Sequence, residues 1–171
     1  MKAYLKENVT GEKTPFTTEL NYSKVGNDLH FKFICKDSKL FSAFSGYNEP
    51  IYQGDVFEVF LCTGGDLREY YEIEVAPNGT VFFAKILNEN GLHASFLENS
   101  IKTSVEITDV GYNVEIIVPC DVIGANPNIP IRFNAFRIET EGGVPNKNLV
   151  ALSPTLVPLF HVPEKFIEFN V

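Results

Sequence analysis

Residues 69–87 read "EYYEIEVAPNGTVFFAKIL" and carry the pattern that decides the fold. The first half alternates between two faces, one with Tyr71, Ile73 and Val75 and the other with Tyr70, Glu72 and Glu74. A period of two residues indicates a half-buried β-strand. Asn78-Gly79 is a tight-turn dipeptide, and residues 80–87 form a second run that is apolar on both faces. The stretch therefore predicts a β-hairpin whose first strand presents carboxylates on one side.

Four further segments alternate in the same way, at residues 28–35, 55–62, 111–119 and 131–139. In residues 55–62, "DVFEVFLC", the two faces carry Phe57, Val59 and Leu61 on one side and Val56, Glu58 and Phe60 on the other. Their β-branched and aromatic residues suit strands, and Gly, Asn and Pro residues mark turns between them. We predict an all-β antiparallel sandwich of two packed sheets, with roughly eight to ten strands. We expect residues 1–171 to form a single domain.

The composition predicts an aromatic core and an acidic surface. The 171 residues include 15 Phe and 7 Tyr but no Trp, and the net charge is −8. No Lys/Arg cluster exceeds a pair. Proteins that bind polyanions neutralise phosphates with clustered cations. The sequence therefore argues against nucleic acid and anionic membrane surfaces as partners.

The cysteines and histidines give no sign of a metal or redox centre. Cys35, Cys62 and Cys120 are odd in number and far apart, so we interpret them as reduced structural thiols. We predict no cofactor, although a structural calcium site assembled from separate segments stays open. No signal-peptide pattern or membrane-spanning run is visible. We therefore expect either a free-standing intracellular protein or the trimmed part of a secreted one.

Motifs for catalysis are weak. Glu72 and Glu74 share a strand face at a spacing of roughly 6–7 Å, which approaches the separation used by glycoside hydrolases. Any acidic strand gives this spacing, so a solvated face explains it more simply. No nucleophile elbow, P-loop or dinucleotide fingerprint is present. We predict a non-enzyme, with a glycan-processing hydrolase that uses two of Glu58, Glu72 and Glu74 as the alternative.

Four motifs follow one another along nearly the whole chain. They read "NEPIYQGDVFEVFL" (48–61), "YYEIEVAPNGTVF" (70–82), "RFNAFRIE" (132–139) and "LVALSPT…LFHVPEKFIEF" (149–169). Each motif is weak alone, but their order resembles the carbohydrate-binding module family 9-like domains, which are DOMON-like β-sandwiches. The resemblance implies a non-catalytic module whose sugar-binding members hold a mono- or disaccharide between two aromatic rings.

The resemblance also implies site residues by position. One ring is Tyr52, six positions before the strand glutamate Glu58, and the other is Phe160 in the closing motif. Glu58 matches a family glutamate that faces the sugar, and Glu74 stands roughly where some relatives use Arg. The remaining implied positions are Asp55, Asn134, Arg137, His161 and Glu164. Because His161 precedes a Val-Pro pair, which holds the chain extended, we interpret it as a residue that fixes the loop by hydrogen bonding, not as an acid–base catalyst.

The expected partner is a mono- or oligosaccharide, and a catalytic glycosidase could be a second partner. The best-known relatives carry Trp at both ring positions, whereas this chain has Tyr and Phe. Smaller rings offer less contact with a sugar face, so we predict millimolar affinity, or about −4 kcal/mol. A sandwich-fold interaction domain that has lost sugar binding is the other alternative. It predicts that the rings of Tyr52 and Phe160 point away from each other or are buried in the core.

Overall fold

The computed structural model describes residues 1–144 and 147–170. Within these residues, two antiparallel sheets pack face to face. The smaller sheet has the strand order β1 (Lys2–Tyr4), β3 (Thr18–Val25), β4 (Asp28–Lys36), β10 (Gly111–Pro119) and β9 (Lys102–Thr108). The larger sheet has the order β2 (Lys6–Glu7), β12 (Asn148–Ala151), β11 (Arg132–Glu139), β5 (Val56–Cys62), β6 (Glu69–Val75), β7 (Val81–Asn88) and β8 (Leu92–Phe96). A short strand, β13 (Ile167–Glu168), also pairs with β11.

The predicted β-sandwich is confirmed, with more strands than expected because several have only two to four residues. The predicted hairpin at Asn78-Gly79 joins β6 to β7, with Val75 paired to Val81. Gly79 adopts a φ of +83°, which a residue without a Cβ tolerates at no steric cost. Two 3₁₀ turns, η1 (Ile51–Gln53) and η2 (Pro163–Lys165), lie in the loops. Among the described residues, no helix has the length and apolar character to cross a lipid bilayer.

The main core lies between the sheets and is rich in aromatic rings. Phe57 of β5 stacks on Phe33 of β4, with ring centres 4.5 Å apart and planes at 18°. Both side chains are fully buried. Truncating such a ring leaves a cavity and costs about 3–5 kcal/mol. The alternation in residues 28–35 and 55–62 therefore places the two sheets against each other, as predicted.

The larger sheet is buried on its outer face as well. A second cluster there includes Val56, Phe60, Tyr70, Phe136 and Phe160. The loop segments 41–54 and 152–166 contribute residues to this cluster or pack against it. A strand that is covered on both sides has no solvated face, so polar side chains on β5 and β6 end up beneath the covering loops. The covering loops therefore bury the carboxylates on the outer face of the larger sheet.

Candidate functional site

Three glutamates meet on the outer face of the larger sheet. In the strand register, Glu58 of β5 lies directly opposite Glu74 of β6, and Phe60 lies opposite Glu72. Directly opposed residues share a sheet face, and Glu72 and Glu74 share it because they are two residues apart. One carboxylate oxygen of each glutamate lies within 4.8 Å of the other two. The sequence pattern that suggested a solvated acidic face thus produces a compact buried cluster.

The carboxyl groups of this cluster are almost inaccessible to water. Glu58, Glu72 and Glu74 are 2%, 6% and 1% exposed. Burial raises the pKa of Glu58 well above its ordinary value, and the nearby Glu72 raises it further. Burial and the two neighbouring glutamates likewise raise the pKa of Glu74, and burial raises the pKa of Glu72 to about 7. The cluster therefore favours its protonated forms, in which a carboxyl group can donate as well as accept a hydrogen bond.

Tyr52 stands beside the cluster on the short turn η1. Its neighbour Ile51 is fully buried and anchors the turn, whereas the Tyr52 ring is 44% exposed. Gly54 follows the turn, and a Cβ there would lie 2.7 Å from the Phe41 carbonyl oxygen. The absence of that Cβ lets residues 41–43 pass against the turn. Tyr52 is thus held on a fixed segment with an accessible ring.

The closing segment, residues 159–166, lies over the sheet near the glutamates. The Phe160 ring stacks on Phe136 at 4.2 Å with planes at 18°, and Phe160 is 7% exposed. At the other end, Phe166 packs edge-on against Tyr70 at 5.3 Å. These two rings pin the segment at both ends.

Asn8 holds the residues just before the closing segment. Its side-chain nitrogen donates hydrogen bonds to Thr155 Oγ1 at 2.7 Å and to the Val157 carbonyl oxygen at 2.8 Å. Its side-chain oxygen accepts from the Thr155 backbone N–H at 3.0 Å. Both Asn8 and Thr155 are buried. One amide near the start of the chain therefore positions a loop near its end.

In the chain, His161 lies between Phe160 and Phe166, the two residues whose rings anchor the closing segment. Its Nδ1 is 2.8 Å from the Tyr70 hydroxyl, and its Nε2 is 3.8 Å from Glu72 Oε1. Burial lowers the pKa of His161 to about 4, so the imidazole is neutral at physiological pH. Asn88 donates to the Tyr70 hydroxyl at 3.5 Å and to the His161 carbonyl oxygen at 3.2 Å. The hydroxyl hydrogen is then free to point at Nδ1, which leaves the hydrogen of the imidazole on Nε2, facing Glu72.

These parts border one pocket of about 640 Å³. Its lining includes five of the nine sequence-predicted site residues: Tyr52, Glu58, Glu74, Phe160 and His161. Lys147 and Leu159 also line it. A second pocket of about 520 Å³ shares Tyr52 and His161 with the first and is otherwise mostly apolar, with Phe82 and Phe96 in its wall. Glu72 lines the second pocket, so the cluster of three glutamates borders both pockets.

The structure brings none of the other four predicted residues to either pocket: Asp55, Asn134, Arg137 and Glu164. Asn134 lies on the outer face, but its side-chain nitrogen donates to the Ser153 carbonyl oxygen at 2.7 Å and its oxygen accepts from the Ser153 backbone N–H at 3.0 Å. Arg137 lies opposite Phe57 in the register, on the inner face, and is fully buried. Asn134 thus holds the loop that follows β12, and Arg137 belongs to the interior.

Arg137 sits in a second group of carboxylates. It donates hydrogen bonds to Asp37 at 3.1 Å, to Glu139, and to Thr18 Oγ1 at 3.2 Å. Burial raises the pKa of Glu139 to about 7, and the Arg137 charge opposes that rise. Asp55 lies in the same group and accepts hydrogen bonds from the Thr140 backbone N–H and hydroxyl at 2.8 and 2.7 Å. The guanidinium supplies the positive charge that these acids need.

Two carboxylate groups in the described residues are compact enough to hold a cation. They are Asp37, Asp55 and Glu139, and Glu58, Glu72 and Glu74. The first already contains Arg137 and donors from Thr140, so it needs no added ion. The second contains no internal cation. Calcium prefers six to eight oxygen ligands, whereas the structure brings together one oxygen from each of the three carboxylates.

The sequence missed several residues of the site. Tyr70 fixes His161, Lys147 stands at the first pocket, and Asn8 positions the loop before the closing segment. Tyr70 could have been found, because it alternates with Glu72 and Glu74 on one face of a recognised strand. Asn8 and Lys147 lie in irregular segments, where no periodicity indicates which way a side chain points.

Solved structures share this fold. A proposed carbohydrate-binding protein from Bacteroides uniformis superposes with a TM-score of 0.80 at 14% identity, covering 97% of this chain and 84% of that one. A carbohydrate-binding module family 9 from Caldicellulosiruptor kristjanssonii in complex with cellotriose superposes at 0.63 and 15% identity, over 89% of this chain and 72% of that one. The module in complex with glucose gives 0.64 and 15% identity, over 96% and 81%.

In sequence, no family model and no curated protein matches this chain. At identities of 14–15%, the likeness establishes the fold alone. The chain therefore has a carbohydrate-binding module family 9-like fold, as the four motifs predicted.

Proposed function

We propose that this protein is a non-catalytic carbohydrate-binding module and that its ligand occupies the pocket bordered by Tyr52, Phe160, Glu58 and Glu74. The observation that carries the proposal is the convergence of these four side chains on one concavity of about 640 Å³. Ligand pockets are typically roughly 300–1,000 Å³ and combine apolar walls with a few polar groups. The family 9 structures with glucose and cellotriose support the same ligand class.

The chemistry of the pocket suits a sugar. The C–H face of a pyranose packs on an aromatic ring, and its hydroxyl rim needs both donors and acceptors. Tyr52 offers an accessible ring, and Phe160, which is 7% exposed and stacked on Phe136, contributes apolar wall to the pocket. Glu58 and Glu74 lie deeper and supply carboxyl groups that, when protonated, both donate and accept hydrogen bonds. Each sugar hydroxyl that reaches them finds a partner shielded from water.

A titration tests this proposal. Isothermal calorimetry against glucose, other soluble monosaccharides, and cellulose and xylan oligomers should give a Kd in the millimolar range for at least one sugar. Tyr52→Ala should weaken that binding by roughly tenfold, since about 1–2 kcal/mol of ring contact is lost. Tyr4→Ala is the matched control, because Tyr4 is a comparably exposed tyrosine on the other sheet. The proposal would be refuted if no sugar of the panel bound, or if Tyr52→Ala and Tyr4→Ala weakened sugar binding equally.

Glycoside hydrolysis is the second candidate, because the glutamate spacing is close to the roughly 5–5.5 Å of retaining enzymes. That reaction needs one carboxylate ionised and another protonated. Here burial raises the pKa of both Glu58 and Glu74, and no Arg, Lys or His of the described residues forms an ion pair with either group that would hold it ionised as the nucleophile. Turnover of an aryl glycoside that disappears in Glu58→Gln would favour the hydrolase. Binding of the same glycoside without turnover favours the module.

A further inference from the structure

The acid cluster lacks a positive partner within the described residues. The closest basic contact is His161 Nε2, 3.8 Å from Glu72, and that imidazole is neutral. Oε2 of Glu74 is buried and receives no hydrogen bond from a base, hydroxyl or amide of the described residues, although the Glu72 and Glu74 carboxyl groups share a hydrogen bond when one of them is protonated. Burying a carboxylate without a partner is costly, so such an oxygen is a site at which a bound donor gains most.

Lys147 shows how a cation fits beside this cluster. Its ammonium lies 5.3 Å from the centre of the Tyr52 ring and donates a hydrogen bond to the Tyr52 carbonyl oxygen at 2.6 Å. It acts on Glu58 and Glu74 only at longer range. The protein's own ammonium thus stands at the pocket wall, over an aromatic face, without reaching the acids. The floor of the pocket stays available to a second positive group.

We infer that the preferred ligand is an amino sugar, whose ammonium group binds Glu58 and Glu74 while its ring packs against Tyr52. This inference rests on the proposed sugar binding and specifies its substrate class. An ammonium group brings three donors and one positive charge to a place where two buried carboxyl groups face a pocket. A neutral sugar supplies donors without the charge. The net charge of −8 also favours the approach of a cation over that of an anion.

Binding then couples to proton release. When the ammonium enters, a carboxyl group that was protonated in the free protein ionises and releases its proton to solvent. Within the described residues, the other titratable groups that line the two pockets or contact the cluster are Tyr52, Tyr70, Glu72, Lys147 and His161. Phe82 and Ala84 of β7 and Phe136 of β11 lie opposite the glutamates in the strand register and do not titrate. Affinity for an amino sugar should therefore rise with pH through the carboxyl range and fall once the ligand amine loses its own proton.

The experiment compares three sugars that differ at one position: glucose, glucosamine and N-acetylglucosamine, by calorimetry at several pH values. We expect glucosamine to bind roughly tenfold more tightly than the two neutral sugars near pH 7, since a hydrogen bond to a charged group outweighs a neutral one. Its apparent binding enthalpy should change with the ionisation enthalpy of the buffer. Glu74→Gln should abolish the preference, whereas Glu106→Gln, an exposed change on the smaller sheet, should not.

Each other result overturns the inference. Equal affinity for all three sugars leaves the proposed function standing and removes the amine preference, whereas no binding by any sugar refutes both. Ammonium chloride that competes as strongly as glucosamine would reveal a simple cation site. Tight binding of Ca²⁺ or Mn²⁺ alone, with an amine preference that disappears in EDTA, would assign the cluster to a metal.

Discussion

The two buried carboxylate groups of this protein differ in one respect. The inner group surrounds the Arg137 guanidinium, which donates to Asp37, Glu139 and Thr18. The outer group, formed by Glu58, Glu72 and Glu74, has no guanidinium and borders two pockets. In the inner group the arginine of the protein neutralises the buried acids, so no ligand is needed there. A buried acid without an internal cation, next to an open pocket, is a place where a ligand can supply what the protein lacks.

The largest expected effect comes from removing the internal cation. Arg137→Met leaves Asp37 and Glu139 buried without a partner and should lower the free energy of unfolding by about 3–5 kcal/mol. Urea denaturation followed by circular dichroism measures this. Arg132→Met is the control, because Arg132 and Glu168 are about half exposed and 3.8 Å apart, and such a pair is worth about 0–1 kcal/mol. Similar losses in both variants would remove the distinction between the two groups.

The outer group should behave in the opposite way, since removing a charge there should stabilise the protein. The pKa of Glu72 is raised by burial to about 7, from 4.5 when unfolded. The folded state thus holds this proton more tightly, and its contribution to stability is lost as the pH rises from about 4.5 through 7. Glu72→Gln should match the wild type near pH 5 and exceed its stability at pH 8, by an amount on the order of 2–3 kcal/mol.

Thermal or urea unfolding at pH 5 and pH 8 measures this difference. Shifted groups away from the cluster, such as Glu139, are present in both proteins, and their contributions largely cancel. Glu106→Gln should give a curve parallel to that of the wild type. A constant gap between Glu72→Gln and the wild type across this range would mean that burial does not raise the pKa of Glu72.

The smallest expected effect concerns ligand binding. Glu139→Gln keeps a hydrogen-bonding group beside Arg137 and lies outside both pockets, so sugar affinity should stay within about twofold of the wild type. Glu58→Gln, the matched change in the outer group, should alter affinity by more than that. Calorimetry with the sugar that binds most tightly measures the affinity of each variant. A larger change in Glu139→Gln would mean that the inner group also influences the pocket.

Much of the fold was predictable because period-two alternation is strong in the long strands. Residues 28–35, 55–62, 69–76, 111–119 and 131–139 all fall on observed strands of nearly the same bounds. β1, β2 and β13 have two or three residues each, too few to display a period. Their pairing depends on tertiary contacts that local sequence does not encode.

The site was predictable in part, and the alternation itself shows why. Glu58 and Glu74 follow the face assignments made from sequence and lie opposite each other in the register. Asn134 and Arg137 are three residues apart on β11, so a strand must send them to opposite faces, and they cannot both face one pocket. Burial of Glu58 follows from its alternation with Val56 and Phe60, whereas the burial of Glu72 and Glu74 was not predictable, because it depends on two distant loops that cover the outer face.

The contact between Asn8 and Thr155 spans 147 positions of the chain. During synthesis β5 and β6 are made before residues 152–166, which form part of the cover of the outer face. We expect Glu58, Glu72 and Glu74 to stay hydrated until residues 152–166 dock, and to lose their water in that step. Sugar binding would therefore report that the whole chain has folded, and the rate of that step should vary with pH.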